Sequence, residues 1–159
     1  MERDCHMITI ADILEPEHIE LELKMANQSE AINHVASLLR EDARVIDWDA
    51  FYKGLLSKQP CLSAAEGTEI CIPHTRTEGV TGMVMSAGRS RSGIIVPEAE
   101  WPVHFIFVIG VPVALAADYL RIIGALTRIF KDAAAKDRLR QVQKPEEFLH
   151  LLASAEMKL

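Results

Sequence analysis

The most restrictive feature of the sequence is a nearly uninterrupted apolar run from Val103 to Val113. It contains His104 and Pro112 and is well short of the roughly 20 apolar residues that a membrane-spanning helix needs. Residues 103–109 are instead typical of a central strand that is buried on both faces. Such a strand needs a packed layer on each side. We therefore expect an α/β fold in which a mixed β-sheet of about five strands lies between helices.

Alternation of polar and apolar residues predicts a strand over 18–24, with Ile19, Leu21 and Leu23 facing inward. Further strands are expected at 80–87 and 94–96, separated by an Arg- and Ser-rich turn at 88–93. Helical periodicity and capping residues predict helices over 28–40, from 48 to about 57, over 115–131, from 133 to about 142, and from 145 onward. The interleaving of strands and helices supports the α/β class.

Composition limits the classes of function. The chain has 159 residues and a net charge of -6, so we expect one domain over 1–159, with a flexible N-terminal extension at about 1–7. An acidic chain offers no broad cationic face for nucleic acid. The polar N-terminus lacks a signal-peptide core, which favours a cytoplasmic location without membrane insertion. The odd number of cysteines, three, favours a reducing compartment over a disulfide framework.

The most reactive candidate is His74. Ile70 to Ile72 read as a short buried strand, and Pro73 should end it, leaving His74 at the start of a loop. A neutral imidazole there could be a nucleophile or a metal ligand, and Thr75 and Arg76 beside it suit a phosphoryl group. The plainer alternative is a polar residue that merely completes a strand end.

Two other clusters have weaker interpretations. Cys61, Cys71 and His74 could share a metal, but their spacing matches no zinc pattern, and we expect neither a metal nor a cofactor. Arg89 and Arg91 in the predicted turn could bind an anion, although such a turn is more often a solvated loop.

Several stretches together resemble one family, the fructose/mannitol-type enzyme IIA of the bacterial phosphoenolpyruvate-dependent sugar phosphotransferase system, and most closely its nitrogen-regulatory branch. The segment Ile70 to Arg76 is similar to the family's I-A-I-P-H-G segment, which is followed by Arg or Lys. Supporting similarities cover most of the chain: residues 8–14, the helix start at 29–31, the strand at 102–112 and the segment 144–148.

The resemblance implies that His74 accepts a phosphoryl group from an HPr-like phosphocarrier protein. Lys58 stands where the family has an arginine, and Tyr119 where it has a second active-site histidine, so both are candidates for catalytic roles. The same resemblance, with the chemistry of the residues, nominates three phosphate-binding side chains: Ser63, Thr75 and Arg76. The family's glycine-rich loop is replaced by 63–69, whose Glu66 and Glu69 would raise the pKa of His74 if they lay beside it.

The regulatory branch implies control of a transporter, a sensor kinase or another protein target according to phosphorylation state. Two alternatives stay open. The chain could be a catalytically impaired binding module that regulates partners without phosphotransfer, because a fold can outlast its first chemistry. It could also be a sugar-transport component that works with a separate membrane subunit. The oligomeric state is not indicated by the sequence.

Overall fold

A computed structural model describes residues 7–57, 67–96 and 101–159. Within these residues the chain forms one sheet, and its strands are β1 Ile19–Glu20, β2 Ile70–Cys71, β3 His74–Arg76, β4 Val84–Ile94 and β5 Val103–Val111. The strand order is β1-β4-β5-β2, with β3 also paired to β5. β4 and β5 are antiparallel and the other pairs are parallel. The predicted mixed sheet and its central buried strand are therefore confirmed.

Three helices begin where capping side chains were predicted. Asn27 accepts from the Glu30 N–H, Asp47 from the Ala50 N–H, and Asp132 from the Ala134 N–H, which satisfies donors left free at each helix start. The helices are α1 Ile10–Ile13, α2 Gln28–Ser37, α3 Trp48–Leu56, α4 Ala116–Lys131, α5 Ala133–Gln141 and α6 Pro145–Met157.

The sheet separates two apolar cores, because successive residues of a strand point to opposite faces. On one face, α2 and α3 pack on Ile106 and Val108 of β5. On the other, Phe105 and Phe107 contact the rings of Phe130 on α4 and Phe148 on α6, with ring centroids 4.8–6.4 Å apart. Successive residues along β2 and β3 therefore face different helices.

The prediction of a turn at 88–93 is wrong. Strand β4 continues through it with an irregularity in pairing between Arg89 and Ile94, and Arg89 is only 1% exposed rather than part of a solvated loop. Its guanidinium donates to the carbonyl oxygens of Leu139 and Val142 at 3.0 and 2.5 Å. These carbonyls lie at the C-terminal end of α5, about 50 residues later, and nothing in the local pattern signals them.

The predicted strand at 18–24 has the right burial pattern but a shorter ladder. Ile19, Leu21 and Leu23 are buried, whereas Glu22 and Lys24 are exposed. Only Ile19–Glu20 pair with β4, opposite Ala87 and Gly88. Alternation therefore predicted which side chains enter the core, but the length of the ladder depends on the partner strand.

The expectation of reduced cysteines needs a correction at Cys71. Cys71 is buried in the core beneath α2 and α3 and is disulfide-bonded, so the expectation of reduced cysteines does not hold for this residue. The other two cysteines, like residues 1–6 of the expected N-terminal extension, lie outside the described residues. Among the helices that the structure describes, none combines the length and apolarity needed to cross a membrane.

Candidate functional site

His74 lies at the start of β3, not in a loop as predicted. Cys71 is opposite Ile106 and His74 is opposite Ile109, so β2 and β3 keep one register along β5. Pro73 has no N–H and interrupts the ladder, yet its carbonyl still accepts from the Ile109 N–H at 2.9 Å. Proline therefore interrupts the pairing with β5 without ending it. His74 is held by its own pairing with β5, and β2 precedes it in the same register.

Strand alternation determines what surrounds His74. Ile70 and Ile72 belong to the core that α4 covers, and His74 follows two residues later on the same face. Its imidazole lies against the phenol ring of Tyr119, with ring centroids 5.0 Å apart and planes inclined by 46°. The predicted association of His74 with Tyr119, 45 residues later in the chain, is thus present in the structure.

The hydrogen bond at Nδ1 defines the chemistry of the His74 ring. Nδ1 lies 2.6 Å from the carbonyl oxygen of Ile72, and a carbonyl oxygen can only accept. Nδ1 therefore carries the proton in the neutral ring, and the lone pair is on Nε2. The side chain is half-buried, so this nitrogen belongs to an anchored and oriented imidazole. Nε2 is the atom able to act as a nucleophile.

Arg76 ends the strand that begins with His74. It is exposed at the end of β3, two residues beyond His74 and hence on the same side of the strand. Burial raises the pKa of Tyr119, and the positive charge of Arg76 opposes that rise. The His74 and Tyr119 rings are therefore in contact, and the phenol experiences the positive charge of Arg76.

The Thr75 hydroxyl, a predicted phosphate ligand, lies on the face of β3 away from the His74 ring. Thr75 is 3% exposed and points to the opposite face of the strand, where its side chain packs against Gly54 of α3. Its hydroxyl donates to the Arg76 carbonyl oxygen at 3.4 Å. A threonine hydroxyl in this position does not reach a group carried by the His74 ring.

Glu69 lies far from His74, contrary to the expectation that it would be close to that ring. Its neighbour Ile70 is opposite Phe105, whereas His74 is opposite Ile109, a separation of roughly 13 Å along β5. Glu69 instead accepts from Arg140 at 3.0 and 3.3 Å and pairs with His104 at 2.9 Å. Partial burial would raise the pKa of Glu69, but Arg140 and Lys136 outweigh it and lower that pKa. Glu69 therefore does not oppose an anion at His74.

Three candidates from the sequence, Lys58, Ser63 and Glu66, lie outside the described residues. Their roles stay predictions. A metal shared by Cys71 and His74 is ruled out by strand alternation, because the two side chains are on opposite faces of the sheet. Among described residues, no group of three His, Cys, Asp or Glu side chains is arranged to hold a metal ion.

The carbonyl of Ile72 is the functional group that the sequence analysis missed. Ile72 is only two residues before His74, but side-chain alternation does not indicate which backbone carbonyl the ring contacts.

Comparison with known proteins agrees with the geometry. Residues 12–155 match the family model "Phosphoenolpyruvate-dependent sugar phosphotransferase system, EIIA 2". The chain is 30% identical, over 145 residues, to a Haloferax volcanii protein named "PTS system fructose-specific EIIA component", covering 91% of this chain and 94% of that protein.

Two solved structures share the fold. Nitrogen regulatory protein IIA-Ntr from Neisseria meningitidis superposes with a TM-score of 0.73 at 23% identity, covering 90% of this chain and 98% of that one. Enzyme IIAMtl in complex with phosphorylated enzyme IIBMtl from Escherichia coli superposes with a TM-score of 0.72 at 21% identity, covering 89% and 99%. Because the family model matches residues 12–155 of the 159, the chain belongs to the EIIA type 2 family of the phosphoenolpyruvate-dependent sugar phosphotransferase system.

Proposed function

We propose that this chain accepts a phosphoryl group on Nε2 of His74 from an HPr-like phosphocarrier protein and controls partner proteins by its phosphorylation state. The observation that carries the proposal is the hydrogen bond from Nδ1 to the Ile72 carbonyl. It leaves the lone pair on Nε2 and holds the ring in one orientation. Phosphoryl transfer needs such a positioned nucleophile more than it needs an acid or a base.

The proposed step is an in-line exchange of one phosphorus–nitrogen bond for another. The bond between phosphorus and the carrier's histidine breaks, its electron pair stays on the carrier's imidazole, and the Nε2 lone pair of His74 forms the new bond. Nδ1 keeps its proton throughout, so the His74 ring gives up no proton. With a proton on Nδ1 and phosphorus on Nε2, the ring carries a positive charge, which the negative phosphoryl group offsets. The Ile72 carbonyl still accepts a hydrogen bond from Nδ1.

The surrounding side chains would bind the oxygens of the phosphoryl group. Arg76 supplies a permanent positive charge and N–H donors, and the Tyr119 hydroxyl supplies one donor. Lys58 and Ser63 are proposed as further contacts on the basis of the family resemblance. No metal or cofactor has a role in this step.

A second candidate function has a specific observation in its favour. The Haloferax volcanii relative at 30% identity is named as a fructose-specific component, and the Escherichia coli complex pairs an enzyme IIA with a phosphorylated enzyme IIB. The chain would then pass its phosphoryl group to an enzyme IIB that serves sugar uptake. The two candidates share the first transfer to His74 and differ in the destination of the phosphoryl group.

The first transfer is tested by incubating the protein with labelled phosphoenolpyruvate, enzyme I and an HPr-like carrier. We expect the wild type to acquire label and His74→Ala to acquire none, while the matched variant His104→Ala keeps full labelling. An unlabelled wild type, in a reaction where the carrier is shown to be phosphorylated, would contradict the proposal. It would favour the alternative of a binding module without phosphotransfer, whose partner capture would be insensitive to His74→Ala.

The destination is tested with the labelled protein. Rapid loss of label to an added enzyme IIB, together with failure of a deletion strain to grow on a single sugar, would support transport. Retention of label, with partner binding that differs between the phosphorylated and unphosphorylated forms, would support regulation.

A further inference from the structure

The far end of the sheet carries a second group of cationic side chains, which the reaction at His74 does not use. A cavity of about 140 Å³ is lined by Arg89, Ser90, Arg91, His104 and Arg140. His104 and Ile109, the residue opposite His74, are five positions apart on β5, or roughly 16 Å. This cationic cavity, defined by those five residues, is therefore separate from the proposed phosphoryl site.

Arg89 is the most unusual member of the cationic cavity. It is 1% exposed. One of its amino groups, Nη1, donates hydrogen bonds to the two carbonyl oxygens at the end of α5. The other, Nη2, has no hydrogen-bond partner among the described residues, and the nearest carboxylate oxygen, from Glu22, is 4.0 Å away. A buried cationic donor without a partner is rare in folded proteins. Nη2 is therefore a donor that an anionic ligand could use.

The charges around the cavity are not balanced. The ion pairs at the cavity join four cationic side chains, Arg89, Arg91, Lys136 and Arg140, to two carboxylates, Glu22 and Glu69. Within these ion pairs the cations exceed the carboxylates by two, in a chain whose overall net charge is -6. Burial, and then the repulsion of Arg91, lower the pKa of Arg89, which is the effect expected of a cation that lacks enough negative charge nearby.

Size and chemistry limit what this cavity can hold. Pockets that enclose drug-sized molecules measure roughly 300–1,000 Å³, so a space of about 140 Å³ suits a small group. Guanidinium groups match the geometry of phosphate oxygens and bind them by pairs of N–H bonds. Ser90 and His104 add further polar atoms to the lining.

From these observations we propose that the cationic cavity is a binding site for a dianionic phosphate group, with Arg89, Arg91 and Arg140 as its principal ligands. The group would come either from free inorganic phosphate or from a small phosphate monoester. The site is independent of the proposed reaction at His74, because neither its residues nor its position on the sheet overlap with those of that reaction.

The experiment is a titration of the full-length protein with inorganic phosphate and, separately, with glycerol 3-phosphate, in chloride buffer at constant ionic strength. Binding is measured by calorimetry, and the imidazole ¹H–¹⁵N signals of the histidines report the location. We expect the His104 signals to shift and those of His74 to stay in place. Tighter binding of inorganic phosphate would identify the free ion as the ligand, and tighter binding of glycerol 3-phosphate a monoester.

Variants complete the test. Arg91→Gln and Arg140→Gln should each raise the dissociation constant at least about tenfold, and both positions are partly exposed, so folding can be verified by circular dichroism. Arg40→Gln removes one exposed arginine from the other face of the sheet and should leave binding unchanged. Absence of binding, or binding that survives both cavity variants and is lost in Arg76→Gln, would overturn the proposal.

Discussion

His74 and His104 lie on neighbouring strands of one sheet, and each is partly buried with its Nδ1 in a hydrogen bond. For His74 the partner is the neutral carbonyl of Ile72. For His104 it is the carboxylate of Glu69, which also accepts from Arg140. The same side chain is thus placed in a neutral, oriented setting at one end of the sheet and in a network of charges at the other.

The difference shows that two histidines of one sheet are distinguished by their Nδ1 partners. A carbonyl fixes the tautomer and leaves Nε2 as a nucleophile. A carboxylate that is shared with guanidinium and ammonium groups makes the ring one member of an ion network. If the two ends of the sheet are independent, a substitution at one end should leave the other unaffected.

The largest effect is expected from the reacting atom itself. Because Nδ1 of His74 is held by the Ile72 carbonyl, phosphorylation should occur on Nε2 and not on Nδ1. The ¹⁵N and ³¹P spectra of the phosphorylated protein should show a single Nε2 isomer, with the His104 ring unmodified. An Nδ1 adduct would mean that the hydrogen bond breaks before transfer and would remove the distinction between the two histidines.

Removing the cation beside His74 should have the next largest effect. Arg76→Gln deletes the permanent charge that would face the phosphoryl oxygens, and we expect the second-order rate of transfer from the carrier to fall roughly tenfold to a hundredfold. Rapid-quench kinetics would measure it. Arg91→Gln, an equal loss of charge at the opposite end of the sheet, is the control; an equal fall in both variants would indicate long-range attraction of the carrier and not local binding.

At the other end, Glu69→Gln should lower the free energy of unfolding by about 1–2 kcal/mol at neutral pH without slowing transfer to His74. Arg140 and Lys136 lower the pKa of Glu69, so the carboxylate stabilises the fold at pH values above the ordinary glutamate range. That stabilisation is lost as the pH falls through the folded-state pKa.

Urea unfolding of wild type and variant across acidic pH would measure the effect, with the exposed Glu41→Gln as the matched control. The difference between wild type and Glu69→Gln should shrink on acidification. A difference that grows as the pH falls would contradict the ion network.

The smallest effect is expected from Tyr119→Phe. This change keeps the ring contact with His74 and removes one donor, so transfer should slow about threefold, equivalent to one weak hydrogen bond. Tyr119→Ala, which also removes the packing, should slow it further. If Tyr119→Phe transferred at the wild-type rate while Tyr119→Ala did not, the phenol would serve only to position the imidazole.

Local sequence pattern predicted much of the fold. Asn27, Asp47 and Asp132 marked helix starts because an N-cap acts within three residues of itself. Alternation at Ile19, Leu21 and Leu23 identified core side chains for the same local reason. It failed at 88–93, where the buried Arg89 depends on carbonyls from α5, and at Pro73, where β5 maintains the register across the break.

The sequence alone indicated His74 as a candidate directly after a short apolar strand, together with the α/β class and the family resemblance. Only the tertiary structure decided which ring nitrogen is free, that Thr75 faces α3, and that Glu69 pairs with Arg140 far from His74. The reason is that backbone preference and alternation act over a few residues. The surroundings of each side chain depend on which distant segment covers that face of the sheet.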